Sequence, residues 1–100
     1  MGIDIQKSPE NGDVTIKING RFDFAMHKEF RNSYQNEDAG TSFVVNLSDT
    51  EYMDSSALGM LLLLKKYVET NGGQVTLTNP QEGVSKVLAI ANFDKVFDIQ

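Results

Sequence analysis

The feature that most constrains the fold is a strand–helix–strand succession between residues 42 and 78. Residues 42–47, SFVVNL, include three adjacent apolar side chains, which is typical of a strand covered on both faces. Residues 55–70 repeat apolar side chains at helical spacing, and residues 74–78, QVTLT, alternate as a strand. Strands that are joined through a helix run parallel. We therefore expect residues 42–47 to lie in the centre of a sheet.

The segments on either side extend this sheet. Two alternating runs flank the turn signal Pro9-Glu10-Asn11-Gly12 and predict an antiparallel hairpin. Their apolar positions are Ile3, Ile5, Val14, Ile16 and Ile18. Asn19-Gly20 is expected to end the second strand, and residues 95–99 are predicted to form a short terminal strand or an extended tail. The predicted fold is α/β: one domain over residues 1–100, with a mixed β-sheet of four to five strands and helices packed on it.

Three helices are predicted. The first follows Asp23, a suitable N-cap, and frays near residues 36–40. Its spaced positions are Phe24, His27, Phe30, Arg31 and Tyr34. The second covers residues 55–70 and ends at Asn71-Gly72-Gly73, which tolerate a left-handed backbone. The third follows Asn79-Pro80 and buries one stripe formed by Val84, Val87, Leu88 and Ala91.

Charge and composition exclude several classes of function. The net charge is -5, and the nine basic residues are scattered, which argues against binding to nucleic acid. Cysteine is absent, and the N-terminus has no secretory signal, so a cytoplasmic location is expected. The longest apolar run, residues 57–64, is far shorter than the ~20 residues that a membrane-spanning helix needs, so membrane insertion is not expected.

The second helix carries an outward face that has no evident structural purpose. On a helical wheel, its buried face comprises Ala57, Leu58, Leu61, Leu64 and Val68, with Met60, Leu62 and Tyr67 at the margins. Its outward face comprises Ser55, Gly59, Leu63, Lys66 and Thr70. Ser56 lies about 100° from Ser55 and should be more enclosed. An outward leucine indicates a surface that meets solvent or a partner.

Two interpretations fit the hydroxyls at the start of this helix. In the first, Asp54 or Ser55 serves only as the N-cap, as such residues commonly do. Alternatively, an exposed Ser55 could be phosphorylated, because backbone donors and the helix dipole favour negative charge there. A protein packed against Gly59 and Leu63 would then have to desolvate the phosphate without pairing it. Such a modification would disrupt binding but leave the fold intact.

The motif Asp54-Ser55-Ser56-Ala57-Leu58-Gly59, after a strand and at the start of a leucine-rich helix, resembles the signature of STAS domains, in particular bacterial anti-sigma factor antagonists. Three other stretches match the same family. They are Gly20 with Asp23 before the first helix, Val44-Val45-Asn46-Leu47 before the signature, and Gly72-Gly73-Gln74-Val75 after the second helix. The resemblance covers essentially the whole chain. The family commonly has glycine where this chain has Ala57, a departure that should stiffen the helix start.

This resemblance implies a partner-switching mechanism without a cofactor, a metal or a small-molecule substrate. The unmodified protein would bind a GHKL-type serine kinase or an anti-sigma factor. Phosphorylation by the kinase would release this partner, and a PP2C-type phosphatase would restore binding. The implied acceptor is Ser55, with Ser56 as second choice, and Asp54 would position the Ser55 hydroxyl. The implied partner-binding residues are Asp23, Asp54, Ser55, Ser56, Ala57, Gly59 and Leu63.

Other functions have weaker support from the residues. His27 is the only histidine, and its spacing favours a half-buried packing role over catalysis, so no enzyme is predicted. The acidic residues Asp49, Glu51 and Asp54 are read as surface charge and caps and not as metal ligands. The runner-up is a STAS subunit docked on the ATPase of a lipid-trafficking ABC transporter. A small-ligand sensor would need a pocket, which the sequence does not indicate. Self-association through the first strand, if that strand lies at a sheet edge, also stays open.

Overall fold

The predicted hairpin and strand–helix–strand unit join into one mixed sheet. The computed structural model describes residues 2–100. Its strands in chain order are β1 (Ile3–Lys7), β2 (Val14–Ile18), β3 (Gly20–Phe22), β4 (Phe43–Asn46), β5 (Thr50–Met53), β6 (Val75–Thr78) and β7 (Asp98–Ile99). Its α-helices are α1 (His27–Tyr34), α2 (Ser55–Thr70) and α3 (Glu82–Ile90). The main sheet has the order β1-β2-β4-β6-β7, with β1 antiparallel to β2 and the other neighbours parallel.

Strand β4 lies in the centre of this sheet, as its apolar run predicted. It pairs in parallel with β2 on one side and with β6 on the other. Val45 and its β2 partner Ile16 are both fully buried, and so is Leu77 in β6. Each such side chain contributes about 1.5–3 kcal/mol to stability through its removal from water. Strand β1 lies at the edge of the sheet and exposes Ile5.

Helix α2 has the predicted bounds and the predicted buried face. Leu61, Leu64 and Ala57 are inaccessible to solvent, and Leu58 packs against the core with part of its surface exposed. The helix ends where Gly72 takes a left-handed backbone, with φ of 89°. The next residue, Gly73, is buried and returns the chain to β6. This turn fixes where α2 lies over the sheet.

Two features of the fold differ from the predictions. Strands β3 and β5 were not predicted, and they pair in parallel as a separate two-stranded sheet. The predicted first helix begins as a 3₁₀ turn, Phe24–Met26, with Asp23 as its N-cap, and becomes α-helical only at His27. The terminal segment forms a short strand at Asp98–Ile99.

No helix in the described residues combines the length and apolar character needed to cross a bilayer.

Candidate functional site

The small β3–β5 sheet brings two distant parts of the sequence together. In this parallel pair, Phe22 is the register partner of Met53. The residues that follow them, Asp23 and Asp54, therefore leave the same edge of the sheet side by side, about 5 Å apart in the backbone. Each aspartate then caps the helical segment that follows it. The STAS resemblance implied that these two segments share a partner-binding surface, and the unpredicted sheet places them next to each other.

Asp54 is the N-cap of α2. Its Oδ1 accepts a hydrogen bond from the Ala57 backbone N–H at 3.1 Å and one from the Ser56 hydroxyl at 2.6 Å. These bonds, the one from Ser56 foremost, hold the pKa of Asp54 below its usual value because they stabilise the charged form. The cap interpretation is therefore confirmed for Asp54, and its carboxylate is ionised at neutral pH.

The two serines of the motif have different surroundings. Ser55 is exposed at the first position of α2, whereas Ser56 is partly buried, in agreement with the helical wheel. The expectation that Asp54 positions the Ser55 hydroxyl is wrong, because Asp54 holds Ser56 instead. Ser55 is thus exposed at the start of the helix, directly after Asp54, with an accessible hydroxyl.

The outward face of α2 continues from Ser55 along the helix. Gly59 is exposed, and Leu63 keeps 63% of its surface exposed, as predicted. Ala57, which was included among the partner-binding residues, is fully buried, so its side chain cannot touch a partner. Its position on the core side of α2 explains this correction.

Several accessible residues beside the motif were missed as candidate site residues. Phe24 is 65% exposed and stacks on His27, with 4.5 Å between ring centroids. The predicted half-buried packing of His27 is wrong, since His27 is exposed. On the β3–β5 sheet, the Arg21 guanidinium lies 4.0 Å from the centre of the Tyr52 ring and 3.5 Å from the Asp23 carboxylate. These side chains enlarge the surface around Asp23 and Asp54.

The acidic residues near the motif are not gathered into a cluster. Asp49 pairs with Lys17 at 3.0 Å, and Asp54 caps α2. Within residues 2–100, no three His, Asp or Glu side chains are close enough together to hold a metal ion.

Replacing Ser56 by alanine should raise the pKa of Asp54 towards its ordinary value, because the hydroxyl bond is the main cause of the low value. A folded-state pKa below the unfolded one stabilises the fold above the unfolded pKa, and this contribution is lost as pH falls through the folded pKa. The Ser56→Ala variant should therefore be less stable than the parent at neutral pH, and the difference should shrink in acid.

NMR titration of the Asp54 carboxyl, with urea unfolding at neutral and acidic pH, measures both effects. Ser85→Ala is the matched control, because Ser85 is exposed on α3. An Asp54 pKa that does not move in Ser56→Ala would contradict the assigned cause.

Comparison with known proteins gives a consistent result. The family model described as the STAS domain matches residues 3–100. A STAS-domain containing protein of Pseudomonas aeruginosa strain UCBPP-PA14 is 42% identical over 100 residues, covering 99% of each chain. The anti-sigma-B factor antagonist of Bacillus subtilis strain 168 is 26% identical, covering 99% of this chain and 92% of that one.

The fold is also found among solved structures. The anti-sigma factor antagonist SpoIIAA in its unphosphorylated form superposes with a TM-score of 0.79 at 20% identity, covering 98% of this chain and 87% of that one. The phosphorylated form of Bacillus SpoIIAA superposes with a TM-score of 0.68 at 18% identity, covering 98% and 90%.

Proposed function

The chain belongs to the STAS domain family, and from that premise we propose that it is a phosphorylation-controlled anti-sigma factor antagonist. The family supplies the class, and the Bacillus subtilis relative, named as an anti-sigma-B factor antagonist, supplies the activity that we transfer. In this proposal the unmodified protein sequesters an anti-sigma factor. Phosphorylation of the motif serine then releases that partner. The protein acts by binding and has no catalytic role of its own.

The observation that carries the proposal is the position of Ser55. Its side chain is exposed at the first residue of α2, while the neighbouring Ser56 hydroxyl is engaged with Asp54. A kinase could reach Ser55 without breaking an internal hydrogen bond. A phosphoryl group there would meet the positive end of the helix dipole, so the fold should tolerate it.

The same group would change the docking surface sharply. Asp23 and Asp54 already make the helix start acidic, and a phosphoryl group adds close to two further negative charges at neutral pH. A partner that covers this face would then have to bury a dianion without a matching donor. We assign Asp23, Asp54, Ser55, Gly59 and Leu63 to this docking surface. Ser56 contributes indirectly, because it holds the Asp54 cap in place.

The proposed partners are those that the resemblance to anti-sigma factor antagonists implies. We propose that a serine kinase of the GHKL type is both the sequestered anti-sigma factor and the enzyme that modifies Ser55. A phosphatase of the PP2C type would remove the phosphoryl group and restore binding.

The proposal is tested by incubating the protein with GHKL-type kinases encoded by the same genome, ATP and Mg²⁺, followed by mass spectrometry. We expect one phosphoryl group on Ser55, no modification of Ser55→Ala, and loss of the kinase complex on modification. A phosphoryl group on Ser56 would show that the acceptor is misassigned. A complex with a transporter ATPase that survives kinase, ATP and Mg²⁺ would contradict the switch itself.

Truncation of Leu63 to alanine should weaken binding of the unmodified protein by about 1–3 kcal/mol, because an exposed leucine in a docking surface is buried only in the complex. The free energy of unfolding should change little, since the side chain makes few core contacts in the free protein. Isothermal titration with the captured partner, together with urea unfolding, measures both quantities.

Ile90→Ala is the matched control for Leu63→Ala. Ile90 is 84% exposed on α3, outside the proposed docking surface, and its truncation should leave affinity unchanged. Equal affinities for Leu63→Ala and the parent protein would remove Leu63 from the docking surface.

A further inference from the structure

A groove of about 600 Å³ lies between α1 and α2. Its floor includes Phe30, Tyr34 and Met60, which are buried, and Leu63 stands at its rim with most of its surface exposed. At one end, the Tyr67 hydroxyl donates a hydrogen bond of 2.6 Å to the Gln35 carbonyl and so links α2 to the end of α1. The groove was not predicted from the sequence, because its walls come from two separate helices.

The charged groups at the groove are cationic. Arg31 and Lys66 both line it, and both are exposed. Neither forms an ion pair within the described part of the chain, and none of the groove-lining residues is acidic. The chain as a whole carries a net charge of -5, so the groove is a positively charged region on an acidic protein. An apolar floor beneath two free cations complements a ligand with an apolar body and an anionic head.

The dimensions of the groove favour a small molecule over a peptide. Its volume falls within the range of about 300–1,000 Å³ that is usual for small-molecule sites. Helix α1 has eight residues and so spans only about 12 Å, which is short for a docked helix. The Tyr67–Gln35 bond further limits the length of the groove.

We propose that the groove between α1 and α2 binds a small amphipathic organic anion, with the apolar body on Phe30, Met60 and Leu63 and the anionic head between Arg31 and Lys66. Burial keeps the pKa of Tyr34 above its usual value, so its phenol stays a neutral hydrogen-bond donor at the floor. This ligand site shares Leu63 with the proposed docking surface, but ligand binding in the groove needs neither a partner nor a modified serine.

The test uses decanoate as the probe and the whole chain, labelled with ¹⁵N and followed by NMR. We expect saturable shifts confined to residues of the groove, with a Kd of about 1 mM or tighter for a ligand of this size. Decanol, which has the same body without the charge, should bind at least about fivefold more weakly. Decyltrimethylammonium, which has the opposite charge, should not bind there.

The second part of the experiment removes the two positive charges at the groove. Arg31→Gln combined with Lys66→Gln should weaken decanoate about tenfold and leave decanol unchanged. Lys28→Gln is the matched control, because Lys28 is an exposed residue of α1 that does not line the groove. Absence of saturable groove shifts, or equal binding of decanol and decanoate, would overturn the proposal. Groove shifts caused only by an acidic amphipathic peptide would overturn it in favour of a peptide site.

Discussion

Replacing Ser55 by aspartate is expected to weaken binding of the anti-sigma partner about a hundredfold, or about 2.8 kcal/mol, while the domain stays folded. The carboxylate would join Asp23 and Asp54 at the start of α2. Arg21 already pairs with Asp23, and Asp54 accepts a bond from a backbone N–H, so a partner that closes over the new carboxylate leaves that charge uncompensated in the interface. The free energy of unfolding should change by less than about 1 kcal/mol, because the helix dipole favours the new charge while Asp54 repels it. Isothermal titration and urea unfolding measure the two effects.

Ser85→Asp is the matched control for Ser55→Asp. It adds the same charge at an exposed position on α3, so it separates the local effect from the change in net charge. Ser85→Asp should bind like the parent protein. An unchanged dissociation constant for Ser55→Asp would remove the switch, whereas equal losses for both variants would indicate a general charge effect.

The sequence predicted those elements that are long enough, or apolar enough, for their hydrophobic pattern to be recognised. Helix α2 runs for sixteen residues, so its buried and exposed faces were both predicted, and Leu63 is outward as expected. Strand β4 was placed correctly because its adjacent apolar residues fit only a position covered on both faces. Strands β3 and β5 have three and four residues, too few to show an alternation. These strands are stabilised by contacts between parts of the chain that are distant in sequence. The buried Thr50 hydroxyl, for example, donates a hydrogen bond to the Ile18 carbonyl at 2.8 Å.

The surroundings of Phe24 and His27 were predicted wrongly because of the local backbone conformation. The prediction treated Phe24 and His27 as members of one α-helix with Phe30, which would place them on a common face. Phe24–Met26 is instead a 3₁₀ turn, whose residues advance about 120° each instead of about 100°. Met26 is therefore buried, and Phe24 points outward beside His27. The sequence also could not predict which serine hydroxyl donates to Asp54, because Ser55 and Ser56 both follow a capping carboxylate closely enough to reach it.

The largest loss of stability is expected from a substitution in the turn after α2. Gly73 is buried, and a Cβ built on it would overlap the backbone carbonyl oxygen of Thr41 and press on Val68. Because the Thr41 carbonyl belongs to the chain entering β4, it cannot move without disturbing the central strand. Gly73→Ala should therefore cost about 2–3 kcal/mol, a substantial part of the 5–15 kcal/mol typical of a small domain. The melting temperature should fall by roughly 10 °C or more.

The comparison that isolates this clash is Gly83→Ala. Gly83 lies in α3, and a Cβ there meets nothing within 4 Å. Alanine at an open helical position should be neutral or stabilise by up to about 1 kcal/mol, since it lowers the entropy of the unfolded chain and favours the helix. Calorimetry and urea unfolding of the two variants should therefore give changes of unequal size, with Gly73→Ala clearly the less stable. Equal midpoints for Gly73→Ala and the parent would show that the backbone at Thr41 yields, and that the close approach of α2 to β4 does not depend on a glycine.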